Sequence, residues 1–285
     1  MRAAAFLFLA FLWVDPVVAA PEPFSPEHAA ELGAEEQRLL AEQHLAQDPP
    51  DLIEARRWLE HAAENGSVEA MGAAGWLYEQ GLGVEPDASR ALAYYTQAYE
   101  AGENEYGIRL GWMYIQGRGL DPDRVRGEEW FRRVIEERND SRARLALASV
   151  LISDAMASLR PERASEASDL LDRALQDGII EAAYYLARIH SDGLGNLPTS
   201  PGRAAHYVRI GAEAGIPEMQ GWMAFLHARG DTVPLDIVEA HKWASLAASG
   251  GDPTGERLRQ DLASRMEQAE LLESRRRAMQ WLEQQ

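Results

Sequence analysis

Between residues 69 and 102 the apolar positions recur at helical spacing, and they do so twice. In Glu69 to Gln80, the residues Ala70, Ala74, Leu77 and Tyr78 fall at i, i+4, i+7 and i+8, one stripe of an amphipathic helix. Gly81-Leu82-Gly83 ends that helix, because glycine takes positive φ without steric cost. Pro86-Asp87 opens the next, with Asp87 as its N-cap. Ala91, Tyr94, Tyr95 and Ala98 form the second stripe, and Gly102 closes it. One such hairpin cannot bury its own apolar face, so units of this kind must stack.

The pattern repeats. Gly75-Trp76 returns as Gly111-Trp112, 36 residues later, and Tyr78, Gly81, Gly83 and Pro86-Asp87 return as Tyr114, Gly117, Gly119 and Pro122-Asp123. Tyr94-Tyr95 returns as Trp130-Phe131. A second glycine series runs Gly66, Gly102, Gly178, Gly215 and Gly250, with Asn139 near the missing place. Two punctuation marks per 35 to 38 residues mean two helices per unit. Gly75 and Gly111 sit inside the first helix of their units, where a missing side chain lets a neighbouring helix approach closely.

The runs Ala74-Gly75-Trp76-Leu77-Tyr78-Glu79-Gln80-Gly81-Leu82-Gly83-Val84 and Leu110-Gly111-Trp112-Met113-Tyr114-Ile115-Gln116-Gly117-Arg118-Gly119-Leu120 resemble the Sel1-like repeat family, a relative of the tetratricopeptide repeats. The resemblance covers roughly residues 51–252 and is sharpest in these two units. A third unit near 181–217 keeps Gly193-Leu194-Gly195 but has His190 in the tyrosine place; a fourth near 218–252 has His227 there. Residues 141–180 depart most, reading Asp154 to Pro161 where the loop should be. The resemblance implies an all-α, right-handed superhelical solenoid of stacked helix–turn–helix repeats. It also implies a role as an adaptor that binds other proteins.

The organisation expected is a signal peptide over 1–19, a linker over 20–25, capping helices over 26–68, a repeat solenoid over 69–252 with 141–180 degenerate, and closing helices over 253–285. Ser25-Pro26 starts the first capping helix, which stops before Asp48-Pro49-Pro50. The closing segment divides near Ser264 to Glu267. At the N-terminus, Arg2 precedes an apolar run from Ala3 to Val14, too short to span a bilayer, then Asp15-Pro16 and small residues. That is the layout of a secretory signal peptide, with cleavage after Ala19. Export to the periplasm is the expected localisation, with no membrane span left after cleavage.

Composition narrows the function. The 285 residues carry 46 Asp+Glu against 28 Lys+Arg, a net charge of −18. Nucleic acid and anionic membrane surfaces are disfavoured partners, because both require a basic patch. With no cysteine, disulfides, thiolate metal sites and thiol nucleophiles are excluded. The seven histidines (28, 44, 61, 190, 206, 227 and 241) include no i, i+4 pair and no His-Glu-x-x-His. His190 and His227 read as core-facing histidines satisfied by a local hydrogen bond. No nucleophile elbow or phosphate loop is present. No catalytic residue, metal site or cofactor is predicted.

One constellation remains. Glu69, Glu105, Glu181 and Glu218 occupy equivalent unit starts, where an acid complements the helix dipole. Four, seven and eleven residues on, the same helical side carries Trp76, Arg109, Trp112, Tyr185, Arg188, Trp222, Phe225 and Arg229. Aromatics and arginines of this kind make protein-interaction hot spots, and stacked first helices would line a concave face. The aromatics fit a binding groove or inter-repeat core equally well. The function expected is a non-catalytic periplasmic scaffold holding a protein or peptide of the cell envelope. The alternative is an envelope hydrolase or glycan-binding protein acting on peptidoglycan.

Overall fold

The computed structural model describes residues 22–157 and 160–284; the signal-peptide reading of 1–19 lies outside them. Among the described residues there are fifteen α-helices and no strand. The only β feature among the described residues is an isolated bridge between Leu194 and Leu197. The protein is all-α, built of repeated helix–turn–helix units, as the periodicity predicts. The chain divides into two compact units, the first running to Tyr106 with Arg118–Leu120, the second comprising Gly107–Gly117 and everything from Asp121.

The first unit holds α1 (Pro26–Glu31), α2 (Ala34–Leu45), α3 (Leu52–Glu64), α4 (Val68–Gln80) and α5 (Ala88–Glu100). Ser25 caps α1 through its side chain, which accepts a hydrogen bond from the His28 backbone N–H at 3.1 Å, with Pro26 in the first turn. The single capping helix expected here is two: the chain leaves helical geometry at Leu32 and Gly33 and restarts with Glu36 reaching back to the Gly33 N–H at 2.9 Å. Helix α2 ends at Leu45, before the two prolines. The core of this unit is Trp58, Leu59, Ala62, Ala70, Ala74 and Leu77. Phe24, in the linker, packs edge-on against Trp58 at 5.1 Å.

Most of α6 (Asn104–Gln116) belongs to the second unit, followed by α7 (Arg124–Arg138), α8 (Ser141–Met156), α9 (Arg163–Gln176), α10 (Glu181–Asp192), α11 (Pro201–Glu213), α12 (Pro217–Arg229), α13 (Ile237–Ser249), α14 (Pro253–Ala263) and α15 (Gln268–Leu282). The degenerate segment is therefore helical, and its expected loop is shorter than the sequence suggests. Asp154 lies inside α8, 5% exposed and ion-paired to Arg124 and Arg163, which draws the helix on to Met156. Asn139 takes the left-handed cap of α7, with φ 54°, where other units use glycine.

Two glycines have the predicted role. A Cβ on Gly75 would stand 2.7 Å from Cε1 of Tyr95, and one on Gly111 would stand 2.4 Å from Cε1 of Phe131. Each glycine admits an aromatic ring from the second helix of its own hairpin. Gly75→Leu is expected to overpack this contact and cost about 1–3 kcal/mol. Thermal unfolding checks it, and an unchanged midpoint would mean the ring moves aside freely.

Candidate functional site

The eight residues of the predicted column occur on the first helices of their hairpins, but in different surroundings. Trp76, on α4 in the first unit, is half-buried and packed against that unit's core. On α6, Arg109 is half-buried, and Trp112 packs edge-on against Phe131 at 5.2 Å and against the second unit's core. On α10, Tyr185 is half-buried beside Tyr184, while Arg188 reaches solvent and bonds Asp192 at 3.3 Å and the Tyr184 hydroxyl at 3.3 Å. On α12, Trp222 is half-buried, Phe225 is 46% exposed, and Arg229 lies over the Phe225 ring at 5.4 Å. Arg229 is paired with Asp231 at 2.6 Å.

The α12 residues of the column meet in a cavity. Trp222, Phe225, Leu226 and Arg229 form one wall of an opening of about 320 Å³, and Pro201, Ala204 and Ala205 of α11 supply the other. Ser191, Asp231 and Thr232 complete a lining that mixes apolar and polar side chains. The unit-opening acids Glu69, Glu105, Glu181 and Glu218 all occupy first helical turns, as the dipole argument requires.

A second repeated constellation escapes the sequence reading. In the first unit the Tyr78 hydroxyl donates to Glu60, Arg90 lies over its ring at 5.1 Å, and Tyr94 stacks on it at 5.9 Å. Burial, with Glu60 nearby, pushes the Tyr94 hydroxyl up to about 12. In the second unit Arg126 covers Tyr114 at 5.8 Å. His190 stacks on Tyr207 at 5.6 Å, and the Tyr207 hydroxyl donates to Asp172 at 2.7 Å. The ring contacts clip the two helices of a hairpin together, while the Tyr78 and Tyr207 hydroxyls bond back to acids on α3 and α9. Their signal is an arginine three residues after the second helix's N-cap position: Arg90 after Asp87, Arg126 after Asp123, Arg203 after Ser200.

The histidine expectation divides. His227 has the expected local hydrogen bond, through Nδ1 to the Pro234 carbonyl at 3.1 Å, but it is only half-buried and not in the core. His190 is core-facing and 4% exposed, but neither ring nitrogen has a hydrogen-bond partner. Tyr207 covers the imidazole face and spends its hydroxyl on Asp172, so nothing reaches the ring edge. Burial, reinforced by Arg203, holds the His190 pKa below the ordinary value, with Asp172 opposing. His241, hydrogen-bonded to Ser274 at 2.8 Å, is lowered by burial and by Arg259 and Arg275.

Both histidines are thus neutral in the fold and protonate more readily in the unfolded chain. Their contribution is complete above the unfolded value near 6.5 and is lost as pH falls through it toward the folded pKa. Stability should drop as pH falls below about 6.5, and His190→Phe should flatten part of that slope. Denaturant midpoints above and below this pH test it; an identical slope in the variant would clear His190.

No group of three His, Asp or Glu among the described residues is arranged to hold a metal ion. No described helix is long and apolar enough to cross a membrane.

Hairpins joined by positive-φ glycines, with an aromatic ring seated over a glycine of the first helix, define an α-helical repeat protein. The Sel1 repeat profile matches residues 37–67, 68–103, 108–139, 180–216 and 217–252, more than half of the chain, and the protein belongs to the Sel1 repeat family. The first match begins within the segment assigned above to capping helices, and the matches pass over 140–179, the degenerate stretch. No curated protein sequence matches significantly. Among solved structures, a Sel1 repeat protein from Oxalobacter formigenes is 23% identical, with a TM-score of 0.58, over 87% of this chain and 95% of its own. A protective antigen from uropathogenic Escherichia coli is 19% identical over 90% of this chain and 70% of its own, with a TM-score of 0.44. An immunity protein from Pseudomonas aeruginosa is 18% identical over 84% and 90%, with a TM-score of 0.42. The first of these shares the fold. Sel1 repeat proteins generally serve as protein-interaction scaffolds.

Proposed function

We propose that the protein is a non-catalytic scaffold of the periplasm, exported by cleavage after Ala19, that holds a protein or peptide of the cell envelope. The binding face is that of the first helices of the second unit, which stacking would make concave. Tyr185, Arg188, Trp222, Phe225 and Arg229 contact the partner, with Arg109 and Trp112 supporting the same face and Trp76 its counterpart in the first unit. The observation that carries this reading is the opening between α11 and α12, where Phe225 stands 46% exposed beside Trp222. A large aromatic left in water at the edge of such a cavity is a ready anchor site. Its mechanism is binding energy alone.

Two experiments test the proposal. Sequencing of the exported protein should begin at Ala20, and a product beginning at Met1 would defeat the export reading. Crosslinked capture of the partner from native envelopes should fail with Trp222→Ala/Phe225→Ala while the variant stays folded. Capture that survives the double change would place the binding face elsewhere.

A further inference from the structure

The degenerate repeat holds a second concavity, a cleft of about 500 Å³ lined by residues of α7 with Asp154 of α8, Arg160 and Arg163. Its lining carries the guanidinium groups of Arg124, Arg132, Arg160 and Arg163 and the carboxylates of Glu128, Glu129 and Asp154. Elsewhere many arginines pair with an acid three or four residues away on their own helix, as Arg56 does with Glu60 and Arg259 with Glu256. Here one pair, Arg124 with Glu128 at 3.7 Å, lies within α7, and the shorter ones join different segments. Arg163 Nη1 donates to Glu128 at 2.6 Å and to Asp154 at 2.8 Å, and Arg124 Nη2 lies 2.6 Å from Asp154.

The cleft is layered. Glu128 and Asp154 are buried and form its floor. Arg124 and Arg132 keep 42% and 40% of their side-chain surface in solvent at the mouth. Arg132 uses only Nη1, on Glu166 at 2.6 Å. Arg160 is exposed, and its side chain bonds nothing among the described residues. Closing the fold explains the floor, since the buried carboxylates are neutralised by Arg124 and Arg163. It does not explain why Arg160 and the free edge of Arg132 point into the same cleft.

We propose that this cleft binds a small ligand carrying two oxyanion groups, gripped by Arg132 and Arg160, while Arg124 is spent on Asp154 and the Val150 carbonyl. Guanidinium forks match carboxylate and phosphate oxygens bidentately, which a lysine cannot do. The chain's charge of −18 repels anions at long range, so only such a local set of forks can hold one. Glu129 at the rim keeps the oxyanions on the Arg132 and Arg160 side.

Titration calorimetry with citrate and with pyrophosphate as probes tests this and separates carboxylate from phosphate recognition. At least one should bind the intact protein with a Kd below about 1 mM. Arg160→Ala should weaken it about tenfold with an unchanged melting temperature, because Arg160 supports nothing in the fold. Arg163→Ala, which strands Glu128 and Asp154, should lower the melting temperature. The proposal is overturned if neither probe binds, if Arg160→Ala binds as tightly as the parent, or if Arg160→Ala melts as early as Arg163→Ala.

Discussion

Replacing Phe131 with alanine should cost about 3–5 kcal/mol, among the largest losses open to a single side chain in this protein. The ring is fully buried, seated over Gly111 and met edge-on by Trp112 at 5.2 Å. Gly111 leaves room on α6 that only this ring fills, and α6 cannot move inward without losing Trp112's own packing. The cavity would stay open, which is the condition under which large-to-small changes are most costly. Urea unfolding followed by circular dichroism should show an earlier midpoint. Phe131→Leu, which keeps most of the volume, should recover much of the loss. A Phe131→Ala midpoint within error of the parent would mean that the α6–α7 hairpin is not packed as described.

The second large effect concerns binding. Trp222→Ala/Phe225→Ala should weaken partner capture at least thirtyfold, roughly 2 kcal/mol or more, because buried aromatic anchors dominate interfaces of this kind. Its effect on folding should be smaller than that of Phe131→Ala, since Phe225 is 46% exposed and Trp222 only partly buried. Arg229→Ala alone should matter less to folding still. Its pair with Asp231 is solvent-exposed, and such pairs contribute little. It should matter to binding through its position over Phe225. The measurement is affinity and unfolding midpoint on the same preparations. Loss of stability without a specific loss of affinity would assign these aromatics to the core.

Much of this was legible in the residues because it is local. Helical stripes such as Ala70, Ala74 and Leu77 depend on spacing within one helix, and so do caps such as Ser25 and Asp87. Gly75 and Gly111 were legible for a related reason: glycine inside a helix needs a steric cause, and Tyr95 and Phe131 supply it. What could not be read was set by distant partners. Asp154 looks like a loop residue until Arg124 and Arg163 are brought to it. His190 looks like an ordinary core histidine until Tyr207 is found to stack on it while bonding Asp172 instead. The glycine series also slips by one at its end, where Gly251, with φ 88°, takes the positive-φ place and Gly250 abuts Pro217. The predicted column shows the same division. Its helical register was plain, but Trp112 against Phe131 and Phe225 in solvent are indistinguishable by spacing alone.

On the function proposed above, the partner sits on the α10–α12 face of the second unit. A photo-crosslinking amino acid placed at Phe225, and separately at Arg173 on the exposed side of α9, tests it most directly in native envelopes. One defined adduct is expected from position 225, absent from position 173 and abolished by Trp222→Ala. An adduct formed equally from both positions, or from 173 alone, would contradict it.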